Sequence, residues 1–598
     1  MKRSILLGFI ILALAPLAGL STWTGATSRN WSTASNWSPA SVPTSTTDVV
    51  INSTGVTNFP WIAAASYCQN LYLETGASLT VNAAYDLNVS AGLYVSGTLN
   101  MSSTGMVNVA GNVEWEPAGT ANITSNTQIN VTGNMTFFNG SNVTLNTGIF
   151  KFQGNLADTH IINFDPDTQI SSLWVAKTAG IFSVSASSTQ PLTLSGNITN
   201  FSGSNFYHYY TGNTILKGSI FDNNPDGATP GIKWNNGTLV LDGTSASIGL
   251  QNTNCYLKNI TFSQTGTAQL AHPLTLKGNL QIDSGVFATN NHTVRIAGNW
   301  ANTVGPAAFT EGTGTVVLNG STHQYCNFDE EFYLLEVDKS GGALRVNNSN
   351  AEIYAAYYNW TAGAIDVLQG IFSAGNLLDS GIVGNYYVNP GGIINLSNYD
   401  GSVDLNALVT FTNGGTINVY GGNAGSSYSN WQNVTLTMNG GSFVFHDVGI
   451  NINGSSGYSF AMNVTGGTIS TSGNFYCTRN IAPAGGTLEL TGSVEHFIYM
   501  DAGALGPSFL ANLKVNKTAA AIFLATDVTC TGDVLVQSGT LAIQDEVLTC
   551  DQLDIYGTLN MANALGRVYT SGSISWYSGS VAALTAGEIE CGHSWNIY

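Results

Sequence analysis

A block of sequence near the start of the chain returns near its end. The pentapeptide Gly-Thr-Leu-Asn-Met occupies residues 97–101 and again residues 557–561. Internal repetition of this kind identifies a repeat protein, in which each unit buries its apolar face only against its neighbours. The chain is therefore expected to form a long array of similar units. A cysteine precedes and a tryptophan follows each copy: Cys68 and Trp115 for the first, Cys530 and Trp576 for the second.

Short stretches of alternating apolar and other residues, separated by Gly and Asn, fill the chain from residue 67 onward. Examples are Val107-Asn108-Val109, Leu192-Thr193-Leu194 and Val316-Val317-Leu318, and this period of two predicts strands. Gly-Gly pairs recur at a spacing of about 23 residues, which suits one turn of a parallel β-helix. We predict an all-β fold, a parallel β-helix with Gly and Asn at its corners and ladders of Asn side chains between coils. The Gly-Gly pairs begin at residues 391, 414, 440, 466 and 485.

A larger module overlies the coils. A Gly-bounded strand such as Gly486–Gly492 is followed, after a variable insert, by a Leu-x-Val-x-Lys-Ser/Thr element such as Leu513–Thr518. Similar pairs begin at Gly148 and Gly314, and a weaker copy begins at Gly237. We expect the lysine of this element to cover a coil corner with its aliphatic stem, its charged head reaching water.

The composition excludes several classes of protein. Charged residues make up 9% of the chain, but hydrophobic residues make up 43%, too much for a disordered segment. The formal net charge of −19 disfavours nucleic acid as a partner, since phosphate backbones are repelled. Seven scattered cysteines form neither a zinc motif nor a disulfide framework. We expect most of them in the core, while Cys530 and Cys550 lie about one coil apart and can stack or bond.

Three zones are predicted along the chain. Residues 1–21 read as a secretory signal peptide, with Lys2 and Arg3 before a short apolar run. Residues 22–66 form a Trp-rich N-terminal cap region, and residues 67–598 form the repeat array, incomplete at its C-terminus. Since no later apolar run has the roughly 18 residues needed to cross a bilayer, we predict no transmembrane span in the mature chain. The predicted location is secreted, extracellular or at the outer cell surface.

The opening segment carries a resemblance to a known group. Trp23-Thr24-Gly25, Asn30-Trp31, Asn36-Trp37, Val42-Pro43 and Asp48–Ile51 resemble the start of large secreted bacterial repeat proteins of Bacteroidetes-like organisms, and the lysine module is similar to their repeats. The resemblance implies a right-handed parallel β-helix at the cell surface, adhesin-like in role. Such proteins often end in an anchoring or sorting domain. Because the chain stops in mid-repeat, we expect a truncated record or a C-terminus covered by a partner.

Several β-helix proteins degrade acidic polysaccharides, which makes catalytic carboxylates a possibility in this chain. Paired carboxylates of the kind that glycoside hydrolysis needs occur at Asp165/Asp167 and at Asp329/Glu330/Glu331. Neither group has a nearby arginine, and the histidines are dispersed. No catalytic residue is assigned, and an enzyme is disfavoured.

One loop resembles half of a calcium site. Asp222, Asn224 and Asp226 stand at alternate positions before Gly227, the pattern of the first half of a calcium-binding loop. Lys233 replaces the glutamate that would complete it, so an ordinary polar turn is the competing interpretation. Ca²⁺ is the one cofactor considered.

Two aromatic clusters are the binding candidates. Tyr207, Tyr209 and Tyr210 form the first, and Tyr357, Tyr358 and Trp360 form the second. On a strand, alternate residues face opposite sides, so part of each cluster must point outward. Exposed Tyr and Trp are typical of contact surfaces for sugars or proteins, although stacked rings can also simply protect coil edges.

The predicted function is a secreted surface scaffold or adhesin that binds glycan or protein through multivalent contacts. Two alternatives remain. One is an extracellular polysaccharide lyase or glycoside hydrolase on the same fold, and the other is a purely structural envelope or matrix component. Aromatic residues lining a groove favour the first function, whereas acidic and basic residues meeting in one groove favour the enzyme.

Overall fold

A computed structural model describes the chain from residue 19 to residue 598 with internal gaps. The gaps are residues 83, 103, 124–126, 139–140, 142, 144–146, 156–159, 164–168, 186–190, 228–230, 378–383, 389–391, 398–408, 421–427, 432–433, 453–459, 502 and 504–507. The chain divides into two compact units, Met1–Thr275 with Ser284–Val286, and Leu276–Asp283 with Phe287–Tyr598.

Strands β1–β29 lie in the first part of the chain. In order they are Leu20–Trp23, Trp37–Ser38, Asp48–Ile51, Trp61–Ile62, Ser66–Cys68, Leu71–Leu73, Ser78–Val81, Asp86–Val89, Leu93–Val95, Thr98–Met101, Met106–Val109, Val113–Trp115, Thr120–Ile123, Gln128–Val131, Met135–Phe137, Ile149–Gly154, His160–Asn163, Gln169–Ile170, Ser172–Lys177, Ile181–Val184, Leu192–Leu194, Ile198–Asn200, Asn205–His208, Asn213–Leu216, Ile220–Asp222, Ile232–Trp234, Thr238–Leu241, Ala246–Leu250 and Asn259–Leu270. A 3₁₀ turn, Ala34–Asn36, lies between β1 and β2.

Strands β30–β59 follow. In order they are Leu274–Leu276, Leu280–Ala288, Val294–Ile296, Trp300–Asn302, Phe309–Thr310, Thr315–Leu318, Gln324–Tyr325, Glu330–Leu377, Gly384–Val388, Gly392–Ser397, Val409–Asn413, Thr416–Tyr420, Tyr428–Trp431, Val434–His446, Gly449–Ile452, Phe460–Thr471, Phe475–Cys477, Thr487–Leu490, His496–Met500, Asn512–Leu524, Val528–Thr529, Val534–Ala542, Val547–Cys550, Leu553–Ile555, Thr558–Met561, Arg567–Thr570, Ile574–Trp576, Val581–Leu584, Glu588–Cys591 and Trp595–Ile597. A second 3₁₀ turn is Pro306–Ala308.

The strands of each unit stack as coils. In the first unit, β10 pairs in parallel with β7 below it and β13 above it, aligning Leu99 with Leu79 and Ala121. In the second unit, β54 pairs in parallel with β51 and β57. Each strand therefore pairs with strands about one repeat away in sequence, which is the topology of a β-helix. The predicted all-β, parallel β-helix fold is confirmed.

The repeated pentapeptide owes its sequence to this stacking. Leu99 and Leu559 are fully buried, while Thr and Asn at the alternate positions are only half-buried. Gly97 starts the first copy because a Cβ there would lie 2.4 Å from the carbonyl oxygen of Glu74 in the coil below. Close approach of two backbones, rather than chain flexibility, requires glycine at this position.

The lysine module corresponds to two consecutive coils. Its first strand stacks directly on its second, so that Leu488 aligns with Leu513 and Val316 aligns with Leu335. The variable insert is the rest of the coil between them. Because the fold fixes the alignment of the two strands but not the length of the insert, the pattern is regular only at the strands.

The lysines of the module do not reach water, and the expectation of a solvated head is wrong. Lys177, Lys339 and Lys517 are at most 2% exposed. The Lys339 ammonium donates to the carbonyl oxygens of Gly320 (3.1 Å) and Thr322 (2.8 Å) and to Gln324 Oε1 (2.7 Å). Burial lowers the pKa of Lys339 to about 8. The Lys339 ammonium therefore lies inside the coil, where it donates hydrogen bonds to carbonyl oxygens that meet at a corner.

The predicted asparagine ladders are present. In the first unit, Asn108 Nδ2 donates to Asn88 Oδ1 (3.0 Å), and Asn130 Nδ2 donates to Asn108 Oδ1 (2.7 Å). In the second unit, Asn418 Nδ2 donates to Asn395 Oδ1 (2.9 Å). An amide carries both a donor and an acceptor, so identical side chains stacked on successive coils satisfy one another.

The Trp-rich segment packs as an aromatic cluster at the N-terminal end of the first unit. The Trp37 ring contacts Trp23 and Trp31 edge to face, with ring centroids 4.8 and 4.7 Å apart. β1 pairs with β2 antiparallel and with β3 parallel, which joins the cluster to the first coil. The predicted signal peptide lies almost wholly outside the described residues, but the structure places Ser21 in β1, opposite Val49 and 2% exposed.

The cysteines behave as core residues. Six of the seven are buried and all are free thiols. Cys530 directly follows β50 and Cys550 is the last residue of β52; the two strands pair at Thr529 and Thr549, so the cysteines lie one coil apart and are not bonded. No helix in the described part of the chain is long and apolar enough to cross a bilayer.

Candidate functional site

A groove of about 240 Å³ lies on the outer face of the first unit. Its lining comes from successive coils. Each contributing strand turns one residue outward and buries the residues on either side of it. All its lining residues are uncharged: Ser45, Tyr67, Asn88, Val89, Ser90, Asn108, Val109, Ala110, Thr132 and Gln153. The surface offered to a ligand is therefore amide, hydroxyl and aromatic.

One wall of the groove is a column of stacked residues. Tyr67 aligns with Asn88, and Asn88 with Asn108, across parallel strands. The Tyr67 side chain is 47% exposed and forms the aromatic end of the column. Asn108 Nδ2 donates to Asn88 Oδ1 (3.0 Å), and Asn88 Nδ2 donates to the carbonyl oxygen of Ser66 (3.4 Å). Each of these two amides has a second N–H for other partners. This wall therefore combines a ring face with fixed hydrogen-bond donors.

The other wall is made of small side chains. Ser90, Ala110 and Thr132 come directly after β8, β11 and β14, and their small size leaves a trough beside the asparagine column. Ser90 Oγ donates to the carbonyl oxygen of Ser45 (2.5 Å), which ties the segment between β2 and β3 to the rim. Short side chains here leave room for a ligand to reach the amides.

A second recess, of about 430 Å³, lies in the second unit and is acidic. It is lined by Pro306, Asp329, Glu330, Glu331, Glu352 and Tyr354. Glu330 is fully buried. Its Oε2 accepts hydrogen bonds from Trp300 Nε1 (2.7 Å) and Asn302 Nδ2 (2.9 Å), and its Oε1 accepts from the Glu331 N–H (3.2 Å).

Burial dominates the electrostatics of this acidic pocket. It raises the pKa of Glu330 to about 7, although the donors from Asn302 and Trp300 oppose the shift. Burial and the nearby Glu330 charge raise the pKa of Glu311 to about 8. Glu330 is thus a carboxyl held beneath the pocket by protein donors, whereas Glu331 and Glu352 are exposed.

The two predicted aromatic clusters are divided by strand alternation. Tyr207, Tyr209 and Tyr357 face outward to different degrees, and Lys233 Nζ lies 5.2 Å from the centre of the Tyr207 ring. The remaining members of the two clusters are core residues and cannot form a surface contact: Tyr210 and Tyr358 are 1% exposed and Trp360 is 6% exposed.

The predicted calcium loop is rich in internal hydrogen bonds. Asp222 is buried, and its Oδ1 accepts from Asn200 Nδ2 (2.6 Å) and Asn224 Nδ2 (2.9 Å). Asp226 Oδ1 accepts from the Thr253 hydroxyl (2.5 Å) and N–H (3.2 Å). These carboxylate oxygens accept hydrogen bonds from neighbouring residues of the protein, as they would in an ordinary polar turn. Calcium binding stays a prediction.

The structure describes one of the two acidic groups that the sequence suggested as carboxylate pairs. Asp165 and Asp167 are outside the described residues, while Asp329 and Glu331 meet in the acidic pocket.

The groove beside Tyr67, called the Tyr67 groove below, was not predicted from the sequence. Its signal is nevertheless present, because an apolar-Asn-Val triplet recurs in Leu87–Val89, Val107–Val109 and Ile129–Val131.

The N-terminal part of the chain is similar to a known family model. A family model described as a domain of unknown function, DUF8693, matches residues 22–186. The matched segment contains the Trp cluster and the whole groove, and ends well before the acidic pocket. Neither a curated protein nor a solved structure shows significant similarity to the chain. The protein is a parallel β-helix repeat scaffold whose first coils are similar to the domain of unknown function DUF8693.

Proposed function

We propose that this protein is an exported β-helix scaffold that binds an uncharged carbohydrate in the Tyr67 groove. The observation that carries the proposal is the lining itself, an exposed tyrosine ring beside a fixed ladder of amides and hydroxyls without a charged member. A sugar presents an apolar ring face and many hydroxyl groups. Aromatic rings and amides of known orientation match those two features.

Binding takes precedence over cleavage because of how the acidic pocket is built. A glycoside hydrolase needs one carboxyl free to give its proton and a second to act as base or nucleophile. Glu330 has a raised pKa but engages both oxygens with protein donors. Such a carboxyl supports the coil. Polysaccharide cleavage is the second candidate, favoured only by the raised pKa of Glu311 and Glu330 beside this pocket.

The test uses the full chain from Thr22 to Tyr598 with immobilised neutral glucan, mannan and xylan, and with alginate as an acidic comparator. We expect retention on a neutral polymer, and about tenfold weaker binding by Tyr67→Ala, a loss of about 1.4 kcal/mol. Tyr85→Ala is the matched control, since Tyr85 is 42% exposed but does not line the groove.

Three results would count against the proposal. No retention on any neutral polymer would reject it, and so would equal binding by wild type and Tyr67→Ala. The appearance of new reducing ends, abolished by Glu331→Gln, would establish the enzyme in its place.

A further inference from the structure

The wall of the groove continues beyond the groove itself. Asn108 aligns with Asn130, Asn130 with Lys151, and Lys151 with Trp174, all through parallel pairs. Tyr67 and Trp174 are therefore the two aromatic ends of one column of aligned residues, with three amides and one lysine between them. Asn130 is buried at 6% exposure, so Asn88, Asn108 and Lys151 are the members that a ligand can reach between the two rings. We call this set the Tyr67–Trp174 column.

The length of the column follows from the strand spacing. Five steps of about 4.8 Å separate Tyr67 from Trp174, which gives about 24 Å along the stacking direction. That distance is too long for one sugar and suits a short run of linked sugars. Gln153, which lines the far part of the groove, precedes the coil that carries Trp174.

Trp174 is held in a defined orientation. Its ring packs edge to face against Phe201, with centroids 5.3 Å apart and an interplanar angle of 65°. The residue is half-buried and lies on the outward side of β19. A supported ring with one exposed side is a platform of the same kind as Tyr67, because little rotamer entropy remains to be lost when a ligand stacks on it.

Lys151 lies between the amides and Trp174. It takes part in none of the ion pairs between described residues, which are Arg345–Asp366, Lys514–Glu489 and Arg567–Glu588. An ammonium here can donate up to three hydrogen bonds to sugar hydroxyls. The formal net charge of −19 opposes a polyanionic ligand, so the column as a whole favours a neutral polymer.

Resting on the function proposed above, we infer that the ligand is a linear neutral polysaccharide that lies along the stacking direction, from Tyr67 to Trp174. Tyr67, Asn88 and Asn108 hold one part of the polymer, and Lys151 with Trp174 hold the next. Affinity then depends on ligand length. Sugars beyond the reach of the groove bind only through Lys151 and Trp174.

The test measures affinity for oligosaccharides of increasing length, taken from whichever neutral polymer the wild-type protein retains. Isothermal titration of the full chain should show affinity rising with length until the column is filled. Trp174→Ala should bind disaccharides as the wild type does and bind long oligosaccharides about tenfold more weakly, whereas Tyr67→Ala should weaken both. Trp174→Phe should keep most of the gain with length.

Two controls separate the possible failures. Tyr72→Ala removes an exposed tyrosine of the same unit that stacks on Tyr94 outside the column, and it should bind as the wild type does. Unfolding temperatures identify any variant that fails to fold, and Trp174→Phe then replaces Trp174→Ala as the probe.

Loss of binding in Tyr67→Ala together with a wild-type length profile in both Trp174 variants would overturn the inference and leave the proposed function intact. Wild-type binding by Tyr67→Ala, or none by the wild type, would overturn both. Preference for alginate over the neutral polymers would reject the neutral ligand.

Discussion

The Tyr67 groove and the acidic pocket are recesses on the same kind of coil, yet their polar groups are stabilised differently. At the groove wall, Asn130 donates to Asn108, and Asn108 donates to Asn88, across successive coils. In the pocket, Glu330 can only accept, and depends on Trp300 and Asn302 for donors. A stacked amide column supplies both donors and acceptors, although Asn130 Oδ1 at its end is buried without a partner among the described residues. A buried carboxyl needs partners of another type or a proton.

The largest expected effect comes from removing the buried carboxyl. Glu330→Ala leaves Trp300 Nε1 without its acceptor at a buried position and removes one of the two acceptors of Asn302 Nδ2, which also donates to the carbonyl oxygen of Gly305. We expect a loss of about 3 kcal/mol in the free energy of unfolding. Asn108→Ala, at a half-buried position, should cost about 1 kcal/mol. Thermal and urea unfolding of the two variants measures the difference, and an equal loss would refute the distinction between the two sites.

The pH dependence of folding stability is the next largest difference expected between the two sites. The pKa of Glu330 is about 7 in the folded protein against 4.5 ordinarily, so the folded state binds more protons than the unfolded state between these values. Its contribution is fully present below about pH 4.5 and is lost as the pH rises through about 7, on the order of 3 kcal/mol. Glu330→Gln, which imitates the protonated form, should flatten this fall in unfolding temperature.

Asn108→Ala supplies the control, since an amide does not titrate in this range. Its loss of stability should be the same at pH 5 and pH 8. If Glu330→Gln followed the wild-type pH profile, the fall in stability would have to come from another titrating group, with Glu311, whose raised pKa is partly due to the Glu330 charge, the first to test.

The elements that could be predicted are those repeated along the chain. Alternation at Thr98–Met101 indicates which residues face the core, and the paired strands of the lysine module indicate consecutive coils. Asparagines at corresponding positions predict the ladders. These features depend on local periodicity and on stacking at a constant interval, and both are visible in a single sequence.

The candidate site was harder to predict because its residues come from different coils. Tyr67, Asn88 and Asn108 are neighbours only once the register is known, and an error of one residue turns every side chain to the other face. The binding site was predicted instead at the two compact aromatic clusters, but strand alternation buries Tyr210 and Tyr358. The inward direction of Lys339 was also missed, because the carbonyl groups that receive it belong to another coil.

A carboxylate placed in the amide column should reproduce the problem of the acidic pocket on a smaller scale. Asn108→Asp keeps the acceptor for Asn130 Nδ2 but loses the donor to Asn88 Oδ1, leaving two oxygens facing each other. We expect a loss of about 1 kcal/mol at pH 7, and recovery at acidic pH as the new carboxyl protonates. Unfolding temperatures at pH 7 and pH 3.5 test this. An equal loss at both would show that the side-chain shape, not the donor, matters.

The smallest effects on stability are expected for the exposed tyrosine of each recess. Tyr67 is 47% exposed and Tyr354 is 40% exposed, so Tyr67→Ala and Tyr354→Ala should each change the free energy of unfolding by no more than about 0.5 kcal/mol. Their effects on carbohydrate binding should nevertheless differ, because only Tyr67 adjoins the amide column. Retention of both variants on the neutral polymer measures this. Equal weakening by the two substitutions would show that an exposed ring suffices without the ladder, and the contrast between the recesses would then lie in their stability alone.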